Sequence, residues 1–152
     1  IKKSARYIIN NCIEHQIGTL IVGYNKDFKR SVNIGKVNNQ NFVQIPLGDF
    51  RQQLEFLCWT YSIEYIEQEE GYTSKSSFID NDILPEYKAE QPYLGRFSGK
   101  RIYRGLYQSA DGTVINADVN GSANIGRKCK QNFTIEELSS GLLTSPKRIR
   151  VI

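Results

Sequence analysis

The sequence predicts an α/β domain, and three observations carry that reading. Two stretches with apolar residues at three-and-four spacing alternate with two short β-rich runs, in the order helix, strand, helix, strand. With 152 residues, 39% hydrophobic and 24% charged, the chain has the length and composition of one ordinary domain. That excludes disordered and fibrous classes. No apolar run approaches the roughly 20 residues a bilayer span needs, so no membrane partner is expected.

Residues 3–17 set Ala5, Ile8, Ile9, Cys12, Ile13 and Ile17 along one helix face, with Gly18 as the expected stop. Thr19 to Tyr24 is a short apolar run, predicted as a strand buried on both faces. Residues 25–44 are polar, rich in Asn and Lys, and predicted as a loop. Pro46 suits the first turn of a second helix, on which Leu47, Phe50, Leu54, Leu57, Cys58 and Tyr61 share a side. Trp59 on that helix is expected in the core or in helix packing rather than as a base-stacking platform. Residues 63–70 form the second predicted strand, parallel to the first because a helical crossover joins them.

From Gly71 to Gly105 periodicity vanishes, and Pro85, Pro92, Gly95 and Gly99 punctuate a loop-rich insertion. Gly105 to Ile115 is predicted as a hairpin with Ala110, Asp111 and Gly112 at its turn. Residues 118–129 read as a short helix dense in small residues, and Thr134 with Glu137 makes a capping-box signature for one more. The resulting division is 1–70 as core, 71–112 as insertion, and 113–152 as the rest of the core and tail.

The formal charge of +4 is unevenly spread: residues 1–95 carry −2 and residues 96–152 carry +6. A basic half suggests a polyanion partner. The three cysteines, Cys12, Cys58 and Cys129, are odd in number and widely spaced, and two sit in apolar stripes. Buried free thiols in a reducing, cytoplasmic compartment are expected. Residue 1 opens a polar, helix-like stretch with no initiator Met or apolar signal core, so a piece of a longer chain is expected.

Two acidic features fall where chemistry gathers. Glu69 and Glu70 close the second strand, and sites in open α/β sheets lie at the carboxyl ends of strands. The alternative is an exposed strand end. Asp118 enters the helix 118–129, where it reads either as an N-cap or as a hard-metal ligand. His15, the sole histidine, reads as a surface residue, and no GxxxxGK loop or Ser-His-Asp motif is present.

Three segments then carry a resemblance: Glu69-Glu-Gly-Tyr-Thr-Ser-Lys75, Lys100-Arg-Ile-Tyr-Arg-Gly-Leu-Tyr107, and Ser109 through Ile125 with its Asn-Ala-Asp-Val-Asn core. In this order they closely resemble the C-terminal part of the transposon-encoded TnpB (OrfB) proteins, relatives of type V CRISPR effector nucleases. The resemblance covers nearly the whole chain. It implies a partial RNase H-like, RuvC-type α/β domain of an RNA-guided DNA endonuclease, with DNA and guide RNA as partners. Mg2+, or Mn2+, would be held by three carboxylates.

By the family pattern, Asp118 is the last acid, with Asn120 and Asn124 beside it as nucleic-acid-binding residues. The first acid lies on an N-terminal strand ahead of residue 1, so that missing N-terminal part is an implied partner. The middle glutamate usually ends the strand matched by Leu20 to Asn25, where only Gly23 and Tyr24 stand. Glu70, or its competitor Glu69, is the nearest acid that can replace it as a metal ligand. The family's zinc-ribbon cysteines fall at Ser77, Asp80, Gln108 and Asp111, so no zinc is expected. Phe78, Tyr93, Leu94, Leu106 and Tyr107 are the candidates to hold the hairpin by packing. Lys75, Arg96, Lys100, Arg101 and Arg104 are expected to bind phosphates. Loss of the middle acid leaves open a nuclease-inactive DNA-binding repressor. Without the resemblance, the chain reads as a generic basic nucleic-acid-binding domain.

Overall fold

The computed structural model describes residues 1–25, 46–129 and 149. The predicted loop beyond Asn25, the Thr134–Glu137 capping box and nearly all of the basic tail lie outside the described residues. The order is α1 (Lys2–Glu14), β1 (Thr19–Tyr24), α2 (Leu47–Thr60), β2 (Glu64–Glu69), β3 (Lys100–Tyr103), β4 (Leu106–Gln108), β5 (Val114–Asn116) and α3 (Ala117–Lys128). It divides into two compact units, one within Ile1–Glu67 and one within Gln68–Arg148.

In the first unit, α1 and α2 bury Ala5, Ile9 and Cys12 against Leu54, Leu57, Cys58 and Ile63. Each buried Leu or Ile contributes about 1.5–3 kcal/mol. Both helices end in the same way. Gln16 N–H bonds to Ile13 O at 3.1 Å and Ile17 N–H to Cys12 O at 2.8 Å. Ser62 N–H bonds to Trp59 O at 3.3 Å and Ile63 N–H to Cys58 O at 2.9 Å. These are paired Schellman closures, with Gln16 at φ 54° and Ser62 at φ 56° in the left-handed position. The expected stop at Gly18 is therefore pre-empted two residues earlier by Gln16. Behind each closure the chain enters a strand, and the strand starts meet: Glu64 N–H bonds to Gly18 O at 2.8 Å, and Thr19 Oγ1 to the Glu64 carboxylate at 3.0 Å. Neighbouring strands that begin side by side run the same way, as a helical crossover requires.

Two expectations fail in this unit. β1 is half-buried along its length rather than buried on both faces. Trp59 is 79% exposed rather than packed inward, because the buried stripe runs through Leu54, Leu57 and Cys58. Trp59 instead stacks beside Phe56, with ring centroids 6.4 Å apart.

The second unit contains the antiparallel sheet β3-β4-β5. Here β3 emerges inside the stretch read as loop. A two-residue turn, Arg104-Gly105, joins it to β4, and Gly105 supplies the φ of +83° that this turn needs. The predicted hairpin is formed by β4 and β5. Its turn is fixed by Asp111, whose Oδ1 accepts from Ser109 Oγ and from Thr113 N–H at 2.9 Å. Tyr107 and Ile115 are buried on one face, under Ala117 and Ile79, and Phe78 is also buried. Leu94, expected to pack, is 91% exposed, and Leu106 sits on the outward face opposite Tyr107.

Candidate functional site

β5 leads directly into α3, and the junction is built by Asn116. Its Oδ1 accepts from Asp118 N–H at 2.9 Å and Val119 N–H at 3.1 Å, so Asn116 is the N-cap. This removes the capping role from Asp118. Its exposed carboxylate sits in the first turn of α3 and pairs with no side chain among the described residues. Gly105 O accepts from Ala117 N–H at 2.9 Å and ties the β3–β4 turn to this helix start.

Glu69 and Glu70 are separated by their partners. Glu69 forms an ion pair with Lys128 Nζ at 2.7 Å, and its other carboxylate oxygen accepts from Gly71 N–H. Lys128 Nζ also donates to Gly71 O at 2.9 Å. Glu69 is thereby committed to holding α3 beside Gly71. Glu70 is half-buried, and burial and then the Glu69 charge push its carboxyl above the ordinary value. Among the described residues its carboxylate has no hydrogen-bonding or ionic partner, so of the two it is the one open to a ligand.

Asn120 and Asn124 are not where a nucleic acid could reach them. Both are fully buried, and they clamp α3 to the segment after Glu70. Asn120 Nδ2 donates to Ser76 O at 2.9 Å and its Oδ1 accepts from Phe78 N–H at 2.9 Å. Asn124 Nδ2 donates to Thr73 O at 3.0 Å and Ser76 O at 2.7 Å, while Arg127 donates to its Oδ1 at 3.0 Å. Every polar atom of these two amides that the fold buries is thus satisfied. Pattern reading places polar residues on the surface. The signal for the opposite was their i, i+4 spacing on a helix of small neighbours.

The turns at the four positions matched to a zinc ribbon are joined by hydrogen bonds. Asp80 N–H donates to Ser77 Oγ at 3.2 Å, and Ala110 N–H donates to Asp80 Oδ2 at 3.0 Å. Asp82, which sequence reading missed, is the stronger organiser. Its carboxylate accepts from Ser77 N–H at 2.8 Å, from Ser98 N–H at 2.9 Å and from the Ser98 hydroxyl. Tyr107 donates its hydroxyl to Lys75 O at 2.7 Å, and burial, with Asp82 and Asp80 nearby, pushes that hydroxyl up to about 12.

Lys75, Arg96, Lys100, Arg101 and Arg104 are all exposed, and from Gln91 to Ala110 the chain carries four basic and no acidic residues. Lys75 Nζ lies 5.8 Å from the centroid of Tyr72, itself packed with Tyr87, Tyr93 and Phe97. Among the described residues no three His, Cys, Asp or Glu side chains gather as a metal-holding group. Asp118 and Glu70 offer hard oxygen donors, but the described residues do not make a complete divalent-cation site.

The exposed basic ribbon and the uncommitted carboxylate at the start of α3 both belong to the second unit. The family model for the Cas12f1-like TNB domain matches residues 48–125, from the first turn of α2 to the last turn of α3. That is just over half of the chain, which belongs to this family and is thereby tied to the TnpB and Cas12f proteins. No curated protein matches the chain. Among the described residues no helix is long and apolar enough to cross a membrane.

Proposed function

We propose that this chain is part of the nuclease region of an RNA-guided DNA endonuclease, to which it contributes Asp118 as a catalytic carboxylate and Glu70 as its partner. The observation that carries the reading is the handover of capping to Asn116, which leaves the Asp118 carboxylate exposed at the positive end of α3. The unpaired, half-buried Glu70 carboxylate supports its choice over Glu69, which Lys128 neutralises. Further carboxylates must come from elsewhere in the protein, so this chain alone is expected not to cleave. The exposed Lys and Arg ribbon holds phosphates without reading sequence, which base pairing with a guide would do.

The test uses the full-length protein loaded with its guide RNA. Asp118→Ala and Glu70→Ala are each expected to abolish cleavage and leave target binding almost intact, whereas Glu69→Gln is expected to cleave. Undiminished cleavage by Asp118→Ala overturns the proposal. Cleavage retained by Glu70→Ala removes Glu70 from the site.

A further inference from the structure

The outer side of α2 carries two large aromatic side chains that the described residues leave uncovered. Leu54, Leu57 and Cys58 face inward, and Gln52, Phe56 and Trp59 lie exposed on the opposite side of the helix. Their spacing of four and then three is that of a helix–helix seam. α2 therefore has one seam filled by α1 and a second one open. Phe56 is 59% exposed and Trp59 79%, and their ring centroids are 6.4 Å apart, so the two make one continuous apolar surface. Asp49 and Glu55 border it, both exposed and without an ion-pair partner among the described residues. The one cation of α2, Arg51, is engaged elsewhere, with Glu67 at 3.3 Å and over the Tyr24 ring. The open seam is thus aromatic at its centre and acidic at its borders.

We propose that this face docks a basic amphipathic helix from another part of the full-length protein, its apolar stripe over Phe56 and Trp59 and its Lys or Arg side chains beside Asp49 and Glu55. This rests on the function proposed above only in taking the chain as part of a larger protein. The charges select the occupant. A nucleic acid or an anionic membrane would bring negative charge against both carboxylates. A second copy, docking α2 on α2, would set the same acids against one another with no cation between them. A basic helix offsets both acids and covers both rings, and a buried Trp is the common anchor at the centre of such an interface. The source follows from β1. It is half-buried along its length although it belongs to a parallel sheet, a kind normally covered on both faces. The first unit is therefore built to be covered by further chain.

The experiment uses the guide-loaded full-length protein and the emission of Trp59, isolated as the difference between the unmodified protein and Trp59→Phe. Acrylamide, a neutral quencher, is expected to quench that emission about threefold less than it quenches free tryptophan, because a docked helix excludes solvent from the ring. Glu55→Lys, at a solvent-facing position of α2, is expected to bring quenching back toward the free value, with Glu55→Gln between the two. In a second measurement Phe56 is replaced by photoreactive p-benzoylphenylalanine. Irradiation is expected to link that position to a Lys- and Arg-bearing helix of the same polypeptide, located by mass spectrometry. Quenching equal to that of free tryptophan, shielding unchanged by Glu55→Lys, or a link to the guide RNA or to a second molecule overturns the proposal. Each of these outcomes leaves the nuclease reading intact, since cleavage by the guide-loaded Asp118→Ala protein tests that reading separately.

Discussion

Asn120 Oδ1 accepts the Phe78 backbone N–H at 2.9 Å across 42 residues of sequence, and this bond registers the Asp118-bearing helix against the segment that follows Glu70. With the bond to Ser76 O, a single buried amide uses a donor and an acceptor on the same partner segment.

Asn120→Ala leaves the Phe78 N–H buried without its partner. Stability should fall by about 1–3 kcal/mol, the cost of one unsatisfied buried group. Asn120→Asp keeps an acceptor for the Phe78 N–H but sets a buried carboxylate against Ser76 O, and the buried charge should lower stability further. Urea midpoints of the three proteins check the order.

Two carboxyls should give pH dependences of opposite sign. Glu70 has a raised value, so the folded chain holds that proton more tightly than the unfolded one. Stability then falls as pH rises from the ordinary 4.5 through the raised value and is level above it. Glu70→Gln should match the unmodified chain below that window and exceed it above. Asp111 is lowered from 3.8 to about 2 by the Ser109 hydroxyl and then Thr113 N–H. Its contribution is complete above 3.8 and disappears as pH falls toward about 2, so Asp111→Ala should be less stable at neutral pH only. Thermal midpoints titrated across both windows distinguish the two.

The Schellman closures place non-glycine residues in the left-handed region, at a cost of roughly 1–2 kcal/mol each. Gln16→Gly and Ser62→Gly should each raise stability by about 0.5–1 kcal/mol, the remainder being lost to the entropy of the unfolded glycine. Equilibrium unfolding of the single and double variants should show additive gains, since the two closures terminate different helices.

Leu57 and Trp59 are two residues apart on α2, with opposite fates. Leu57→Ala should cost about 2–5 kcal/mol, and Trp59→Ala should stay within about 0.5 kcal/mol. Because Trp59 is the sole tryptophan, iodide should quench the emission of the folded chain nearly as well as that of free tryptophan.

These residues also show what a one-dimensional reading can carry. The helices were legible because Ala5, Ile9 and Cys12, and then Leu54, Leu57 and Cys58, repeat at helical spacing, and burial follows that repeat directly. Phe56 and Trp59 lie off the stripe, and hydrophobicity alone does not say which apolar residues the partner element reaches. β3 was illegible because Lys100-Arg-Ile-Tyr has only Ile102 as a half-buried position, and its register is imposed by β4. At the candidate site, Asp118 stood out by its place at a helix start, but which side chain capped the helix depended on Asn116 two residues earlier. The role of Asp82 had no local signal at all, since its partners Ser77 and Ser98 come together only in the folded unit.

The clamp of Asn120 on Phe78 closes a long loop whose outer part, residues 86–92, is wholly exposed. Loop-closure entropy grows only with the logarithm of length, so lengthening a 42-residue separation by about half adds roughly 0.4 kcal/mol. Such a chain can accept cargo there — a reporter domain or an affinity handle — while the polar lock around Ser76 stays shut. The stretch between Glu86 and Pro92 is thus a natural port for engineering this protein.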